Sequence, residues 1–485
     1  MSTESSRQLK RSAMGAPGIV FFVVAAAAPL GATLGAGPVA FAATGPGVPG
    51  LYLVASVVLL LFAVGYAAMS RHVTDAGGFT AYIALGLGRR AGHASAGVAL
   101  LAYNCLLLGV AGQFGVFAQD LSRGWGHEVP WQLAAAAALL LVGVLGYLEI
   151  DLSAKVLGVL LVAEVLVLLV FDVAVIARGG ADGLDAAGFA PGNLLAGAPG
   201  IALLFAFTCF IGFEATTVYG EEAREPRRTV PRATYVAVLV MGGFYTLTTW
   251  AIGLAHPAEE IAARAGEDPV GFVTALNTAF VGTFSTELMQ VLVVTSVFAV
   301  LLALHNTLSR YLFSLGRGGL LPEFLGRTHP RHRSPHRASA AQSGITALAL
   351  AVFLAAGADP FGQLYPWMMG IGTVAVLVLQ TAVAAAVLVF FRRRVRGPRW
   401  QTAVAPLLGM LGLAAGIVLA VANFDVLTGL TGGAAFLLPW LIPVAALLTL
   451  VAAEVSTRRG HPVHLGATAL SERDGPAPDR TPAAR

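Results

Sequence analysis

Long apolar stretches separated by short polar connections make up most of this 485-residue chain. Each stretch is about 20 residues long, the length that a helix needs to cross a hydrocarbon layer of about 30 Å. Because a bilayer offers the backbone no water, we expect helices and an all-α membrane protein with 12 transmembrane helices. The predicted spans are 18–41, 49–69, 95–119, 132–149, 153–177, 200–220, 232–255, 286–314, 341–357, 364–391, 402–422 and 434–455.

The charges of the connections alternate in sign along the chain. Arginines gather before the first span, after the last span and in the connections after spans two, six, eight and ten, for example at 392–394, whereas acidic residues such as Glu259 and Glu260 dominate the connections of the other side. By the positive-inside rule, this asymmetry places both termini in the cytoplasm. Only 12% of the residues are charged, compared with about 25% in soluble proteins. The net charge of +4 therefore reflects membrane topology, and we expect no nucleic-acid partner.

Two spans contain residues that weaken a helix. Span one contains PLGATLGAGP at 29–38, and span six contains CFIGFE at 209–214. Glycine and proline leave backbone groups that need partners in protein or water. Five spans separate the starts of the two segments, and interrupted helices at matching positions of two halves indicate a transporter site at the membrane midplane. Close packing of helices at glycines is the alternative explanation.

Several motifs follow one another in a characteristic order. Gly212, Phe213 and Glu214 are followed by Glu221 and Glu222 and by the basic run AREPRRTVPRA, while DAGGF follows span two and LGRGGLLPEFL ends span eight. In this combination, residues 15 to 400 resemble the amino acid–polyamine–organocation superfamily of secondary transporters. The resemblance implies a LeuT-like 5+5 inverted repeat plus two accessory helices, and import or exchange of amino acids or related amines.

The resemblance also implies a division of the chain. We expect a cytoplasmic tail at 1–17, a first five-helix repeat at 18–177, a second repeat at 200–391, two accessory transmembrane helices at 402–455 and a disordered cytoplasmic tail at 456–485. The first tail has no small-residue cleavage site after a short apolar core, so we do not interpret it as a signal peptide. The last tail is polar and rich in Pro and Ala, which is typical of disorder.

The superfamily binds its substrate in the interrupted middles of spans one and six. Free N–H groups at such a helix start attract a carboxylate, and free C=O groups attract an ammonium. We align GAT at 31–33 with the family's Gly-Ser-Gly, in preference to GAG at 35–37, which leaves too few residues before the end of the span. The resemblance thus assigns substrate binding to Gly31, Ala32, Thr33, Phe210, Ile211 and Gly212, with Phe207 and Thr208 as the outer wall.

Two carboxylates inside the spans are candidates for function. Glu164 is the only charge in LGVLLVAEVLVLLVF, at the point of span five where proton-coupled relatives often have a lysine. Because burial favours the protonated form of a carboxylate, we predict that Glu164 couples transport to protons; a structural hydrogen bond to a neighbouring helix is the alternative. We predict a gating or hinge role for Glu214, Glu221, Glu222 and Arg228.

Other polar side chains inside the spans are expected to be structural. Asn104, Gln113, His305 and Asn306 are predicted to form interhelical hydrogen bonds, and Lys155 to extend its ammonium group to water. Cys105 and Cys209 both lie inside predicted spans, so we expect reduced, buried thiols and no disulfide.

These features predict a permease that moves amino acids across the bacterial cytoplasmic (inner) membrane by proton-coupled import. The alternatives are a polyamine or other small-amine importer or exchanger of the same fold, and a membrane nutrient sensor that does not transport. An enzyme is not expected, because His329, His332 and His336 lie among arginines and no catalytic constellation is recognisable. A channel would need a repeated filter motif or a charged ring. The expected partners are a small-molecule substrate, H+ and the bilayer, with no cofactor or metal; the oligomeric state is left open.

Overall fold

The computed structural model describes residues 15–72, 78–148, 154–216, 223–329, 334–395, 397–430, 435, 437–459 and 463. Within these residues the chain forms helices joined by turns, and no β-strand. The helices, α1 to α18 in chain order, are Ala16–Ala27, Pro29–Thr44, Val48–Ser70, Gly78–Leu87, Arg89–Gly124, Trp131–Leu148, Ala154–Arg178, Pro191–Leu194, Pro199–Thr208, Pro226–Leu254, Ile261–Glu267, Phe272–Phe280, Thr283–Arg317, His336–Ala355, Tyr365–Arg393, Ala405–Ala422, Phe424–Thr428 and Leu441–Arg458.

The described residues contain 11 helical stretches that are long and apolar enough to cross a membrane. The first of them, Pro29–Ser70, takes in both α2 and α3, and the last, Leu441–Arg458, is α18. The predicted all-α membrane protein is confirmed, whereas the number of 12 spans, the inverted repeat and the division into repeats stay predictions. The predictions for residues 1–14 and 464–485, and for Glu221 and Glu222, lie outside the described residues.

The helices form an inner group and an outer group. In the interior α2 and α9 pack on each other, and α3, α10, α13 and α15 are among their neighbours. On the outer helices α6, α14, α16 and α18, the side chains of Leu140, Leu348, Val418 and Leu448 are 66–71% exposed. Large apolar side chains on the outside of the bundle fit contact with lipid, since lipid is the solvent of a membrane-spanning surface.

Span one is divided at Ala28, between α1 and α2. Ala28 has φ 45° and ψ 71°, a left-handed conformation that is uncommon for a residue other than glycine. Pro29 then takes the first helical position, where its missing N–H has no helical partner in any case and its fixed φ suits a helix. From Pro29 the helix runs to Thr44 and includes Pro38. The predicted break within 29–38 is therefore wrong: the interruption lies directly before this segment, and Gly31, Ala32 and Thr33 are helical.

Span six is divided where the sequence predicts it. Helix α9 ends at Thr208, residues 209–212 form turns, and residues 213–216 form a 3-10 turn. Gly212 has φ 114°, a conformation that glycine adopts without the strain a Cβ would cause. The predicted interruption in CFIGFE is confirmed.

Candidate functional site

The two interruptions lie against each other inside the bundle. A Cβ built on Gly212 would lie 3.8 Å from the Cβ of Ala26 and 4.0 Å from the backbone nitrogen of Ala27. The turn of span six therefore contacts the last turn of α1, immediately before the break at Ala28. The segments that the sequence singled out separately form a single region of irregular backbone, which a membrane protein tolerates only inside protein or beside water.

Glu164 extends from the middle of α7 to the start of α2. Its Oε2 atom accepts a hydrogen bond of 2.9 Å from the hydroxyl of Ser296 on α13, and the carboxylate also makes a backbone hydrogen bond with Leu30. Leu30 is in the first turn of α2, whose N–H groups have no carbonyl partner within the helix; Ala32 is bonded back to Ala28 at 2.8 Å. Because a helix start favours negative charge, the Glu164 carboxylate lies where a bound carboxylate would be stabilised.

Glu214 is bonded to the other interruption, again through its carboxylate. Its Oε2 accepts the N–H of Gly212 at 2.9 Å, and its Oε1 accepts the hydroxyl of Tyr103 at 3.2 Å. The main-chain carbonyl of Glu214 accepts the hydroxyl of Tyr66 at 3.0 Å. These bonds satisfy backbone groups that the break removes from the helical pattern. The carboxylate thus stabilises the shape of the turn, and its gating or hinge role stays a prediction.

Gly31, the first predicted binding residue of span one, lies at the contact between α2 and α13. A Cβ on Gly31 would lie 3.1 Å from Cγ2 of Val297 and 3.7 Å from Oγ of Ser296. The carbonyl of Gly31 accepts a bond of 2.7 Å from Gln113, and the hydroxyl of Thr33 donates to the carbonyl of Pro29 at 2.8 Å. Gly31 is therefore directly beside the serine that holds Glu164.

The predicted residues of span six point to different helices. Phe207 packs against Gly416 of the outer helix α16, whereas the hydroxyls of Thr208 and Thr373 share a hydrogen bond of 2.7 Å. The ring of Phe210 lies edge-on to that of Tyr245 on α10, with 5.9 Å between centroids. Only the folded structure shows these directions, because Phe207 and Thr208 end α9 while Phe210 lies in a turn that follows no helical periodicity.

Sequence reasoning missed several contributors to this region. Ser296 and Leu30 hold Glu164, and Tyr245 covers Phe210. A single serine or tyrosine in an apolar span carries no signal of its own, and Leu30 acts through its backbone. Gln113 was expected to form an interhelical bond, and its contact with Gly31 places that bond at the site.

The other predicted polar contacts are largely confirmed. Gln342 donates to Asn104 at 2.8 Å, and His305 shares a hydrogen bond of 3.1 Å with Ser339. Cys105 and Cys209 are free and buried. Arg228 lies 3.5 Å from Glu225 in an ion pair whose side chains are 76% and 66% exposed, and such pairs contribute little stability. Its hinge role stays a prediction.

Two cavities lie away from the interruptions. One of about 340 Å³ is lined by residues that include Trp131, Leu354 and Asp359, and a smaller one is lined by residues that include Asp185, Trp250 and His256. Neither includes a residue of the two breaks. Among the described residues, no group of three or more His, Cys, Asp or Glu side chains is suited to a metal ion. The contact between the breaks, where Glu164 and Glu214 are bonded, is the candidate site.

A multi-pass helical membrane protein with two interrupted helices that meet in its interior, each bonded to a buried carboxylate, has the features of a membrane transporter. Comparison with known proteins gives the family. A family model described as "Amino acid permease" matches residues 18–426. The chain therefore belongs to the amino acid permease family of the amino acid–polyamine–organocation superfamily, and it is a transporter and not an enzyme.

Relatives of known name are permeases and transporters. Over 317 residues the chain is 27% identical to a branched-chain amino acid permease of Lactococcus lactis, an alignment that covers 61% of this chain and 66%, just under two thirds, of the relative. It is 24% identical over 413 residues to a branched-chain amino acid permease of Bacillus subtilis, covering 76% and 80%. It is 25% identical over 338 residues to the methylthioribose transporter of Bacillus subtilis, covering 66% and 70%.

Proposed function

We propose that this permease imports neutral amino acids with apolar side chains, that a proton gradient drives the import, and that Glu164 carries the coupled proton. The single observation that supports this most is the position of the Glu164 carboxylate, at the first turn of α2 and beside Ser296. That helix start is the place where the superfamily resemblance puts the carboxylate of a substrate.

Competition for the same backbone N–H groups supplies a coupling mechanism. Two carboxylates cannot share one helix start without repulsion, because like charges in a medium of low dielectric constant interact strongly. Protonation of Glu164 removes one negative charge and weakens its bond to Leu30, so that the carboxylate of an amino acid replaces it. Release of the substrate and of the proton on the other side restores the arrangement seen here. Substrate and proton thus bind together.

The surroundings of the breaks favour a neutral apolar substrate. Tyr52, Phe210 and Tyr245 bring aromatic rings to this region, and Val297 packs on α2. The carboxylate of Glu214 is already bonded to Gly212 and Tyr103, which leaves it poorly placed to bind a second amine of a polyamine. Two relatives named as branched-chain amino acid permeases support the same class of substrate.

Uptake into proteoliposomes tests the proposal. Leucine, isoleucine, valine, putrescine and methylthioribose are offered with and without an inward proton gradient, to the wild type and to Glu164→Gln. We expect the gradient to drive uptake of the branched-chain amino acids in the wild type alone. Glu164→Gln, which resembles the protonated side chain, should still exchange substrate across the membrane without a gradient.

Three outcomes would contradict the proposal. Binding without flux would indicate a sensor, and gradient-driven uptake of putrescine or methylthioribose alone would indicate another substrate class. Unchanged gradient dependence in Glu164→Gln would remove Glu164 from the proton pathway.

A further inference from the structure

Helix α7 carries a second buried carboxylate, that of Asp172, two turns beyond Glu164. Asp172 is 0% exposed. Its Oδ2 accepts a hydrogen bond of 2.8 Å from the hydroxyl of Thr248 on α10. Its Oδ1 is buried and has no hydrogen-bond partner among the described residues. One neutral hydrogen bond is therefore the only polar contact that the described part of the chain provides for this carboxyl group.

No cation from the neighbouring helices faces Asp172 in the described residues. Helices α1, α2 and α12, which pack on α7, contain no charged residue. In α13 the acidic Glu287 and the basic Arg310 and Arg317 are all exposed. On α7 itself, Arg178 donates to the carbonyl of Ala279 at 3.0 Å and its guanidinium lies 5.9 Å from the ring centre of Phe280. The basic residues of α10 are at its opposite end, at 227–232.

An ionised carboxylate in such a place is strongly disfavoured. Burial of a charge without a partner is expensive, and inside a membrane protein ionisable groups usually pair or mark an ion pathway. A carboxylic acid fits the geometry, because Oδ2 as the carbonyl oxygen accepts the hydroxyl of Thr248 while Oδ1 holds the proton. We infer that Asp172 is a second proton-binding site, which holds its proton while α7 and α10 are packed as they are here.

Hydroxyl groups of α10 extend from this site towards Glu164. Tyr245 is three residues before Thr248, on the same side of α10, and interacts electrostatically with Glu164. The hydroxyl of Tyr245 is buried and has no hydrogen-bond partner among the described residues. Eight residues of helix place Asp172 about 12 Å from Glu164 along α7. This assignment rests on the proposed proton coupling: Asp172 is the proton-binding site nearer Arg178, and Tyr245, one helical turn from the partner of Asp172, interacts with Glu164.

Infrared spectroscopy of the full-length protein in lipid nanodiscs tests the site without using transport. We expect the difference spectrum between wild type and Asp172→Asn at neutral pH to show the C=O stretch of a protonated carboxylic acid. The matched control is Asp182→Asn, which changes an exposed carboxylate just beyond the Arg178 end of α7 and should show no such band. Thr248→Val should retain the Asp172 band and shift it to higher frequency, because the carbonyl of the carboxylic acid loses its hydrogen bond.

Transport tests the link to Glu164. Asp172→Asn should lose gradient-driven uptake and keep gradient-independent exchange, whereas Tyr245→Phe should slow gradient-driven uptake. Absence of a protonated-acid band from Asp172, in a variant that exchanges substrate normally, would overturn the proposal; wild-type gradient-driven uptake in Asp172→Asn would overturn its link to transport. If uptake by the wild type ignores the gradient, the proposed function fails instead, and the infrared band still reports on Asp172 by itself.

Discussion

The two interrupted helices use carboxylates that come from different distances along the chain. In span six, Glu214 binds the N–H of Gly212, two residues before it. In span one, the carboxylate comes from Glu164 on α7 and is also bonded to Ser296 on α13. The interruptions differ in length as well: span one resumes as a helix at Pro29, whereas residues 209–212 of span six form turns.

The difference indicates which break responds to helix movement. A local bond such as that between Glu214 and Gly212 moves with its own segment, so it preserves the shape of the turn when neighbouring helices move. The Glu164 contact joins α2, α7 and α13, and it is lost if any of the three moves away. A switch requires an element whose contacts differ between two states. We therefore propose that Glu164 acts as a switch, and that Glu214, although it also bonds Tyr103 of α5, acts mainly as a structural brace of its own turn.

The largest effect should come from a bulky side chain at Gly31, next to the contact between Glu164 and Ser296. Gly31→Val places its Cβ 3.1 Å from Val297 and 3.7 Å from Ser296, and its further methyl groups displace the serine that holds Glu164. We expect uptake to be abolished while the amount of protein in the membrane stays normal. The control is Gly37→Val on the same helix, where a built Cβ meets no heavy atom within 4 Å. Unchanged uptake in Gly31→Val would contradict the role of this contact.

A smaller effect is expected from the backbone of the local break. In Gly212→Ala the new Cβ makes only ordinary contacts, but φ 114° is strained for alanine, which costs about 1–3 kcal/mol. A loss of about 1.4 kcal/mol at the site corresponds to roughly tenfold lower affinity for substrate. Gly282→Ala is the matched control, because Gly282 has φ 130° in the connection before α13, with open space around it.

Thermal unfolding and substrate affinity separate the two glycine variants. Both should be destabilised to a similar extent, and only Gly212→Ala should bind substrate more weakly. Equal losses of affinity would mean that strain acts through stability alone and that the turn of span six is not part of the site.

The smallest effect should follow from Glu214→Gln. The amide oxygen of glutamine still accepts the N–H of Gly212, and the variant loses mainly the bond from Tyr103, which in a membrane protein is worth about 1 kcal/mol. We expect uptake a few-fold slower with its gradient dependence intact, and a similar result for Tyr103→Phe. Should Glu214→Gln abolish the response to the gradient, as expected of Glu164→Gln, the distinction between switch and brace would be lost.

Local patterns predicted much of the fold. Apolar runs of span length predicted membrane helices at nearly the observed positions, because hydrophobicity and helix length are properties of a segment. The interruption of span six was equally predictable, since Gly212 and the following glutamate are neighbours in sequence. In span one the same reasoning failed, because Gly31 and Pro38 are tolerated within a packed helix while Ala28 takes the left-handed conformation.

The sequence by itself determined a multi-pass helical permease, the break at Gly212 and two unusual buried carboxylates. The tertiary structure alone decided that Glu164 contacts Leu30 and Ser296, that Phe207 packs on α16 and that Asp172 meets Thr248. The physical reason is that composition and propensity act within a segment. The partner that a buried polar group finds depends instead on the rotation and packing of helices that are far apart in the chain.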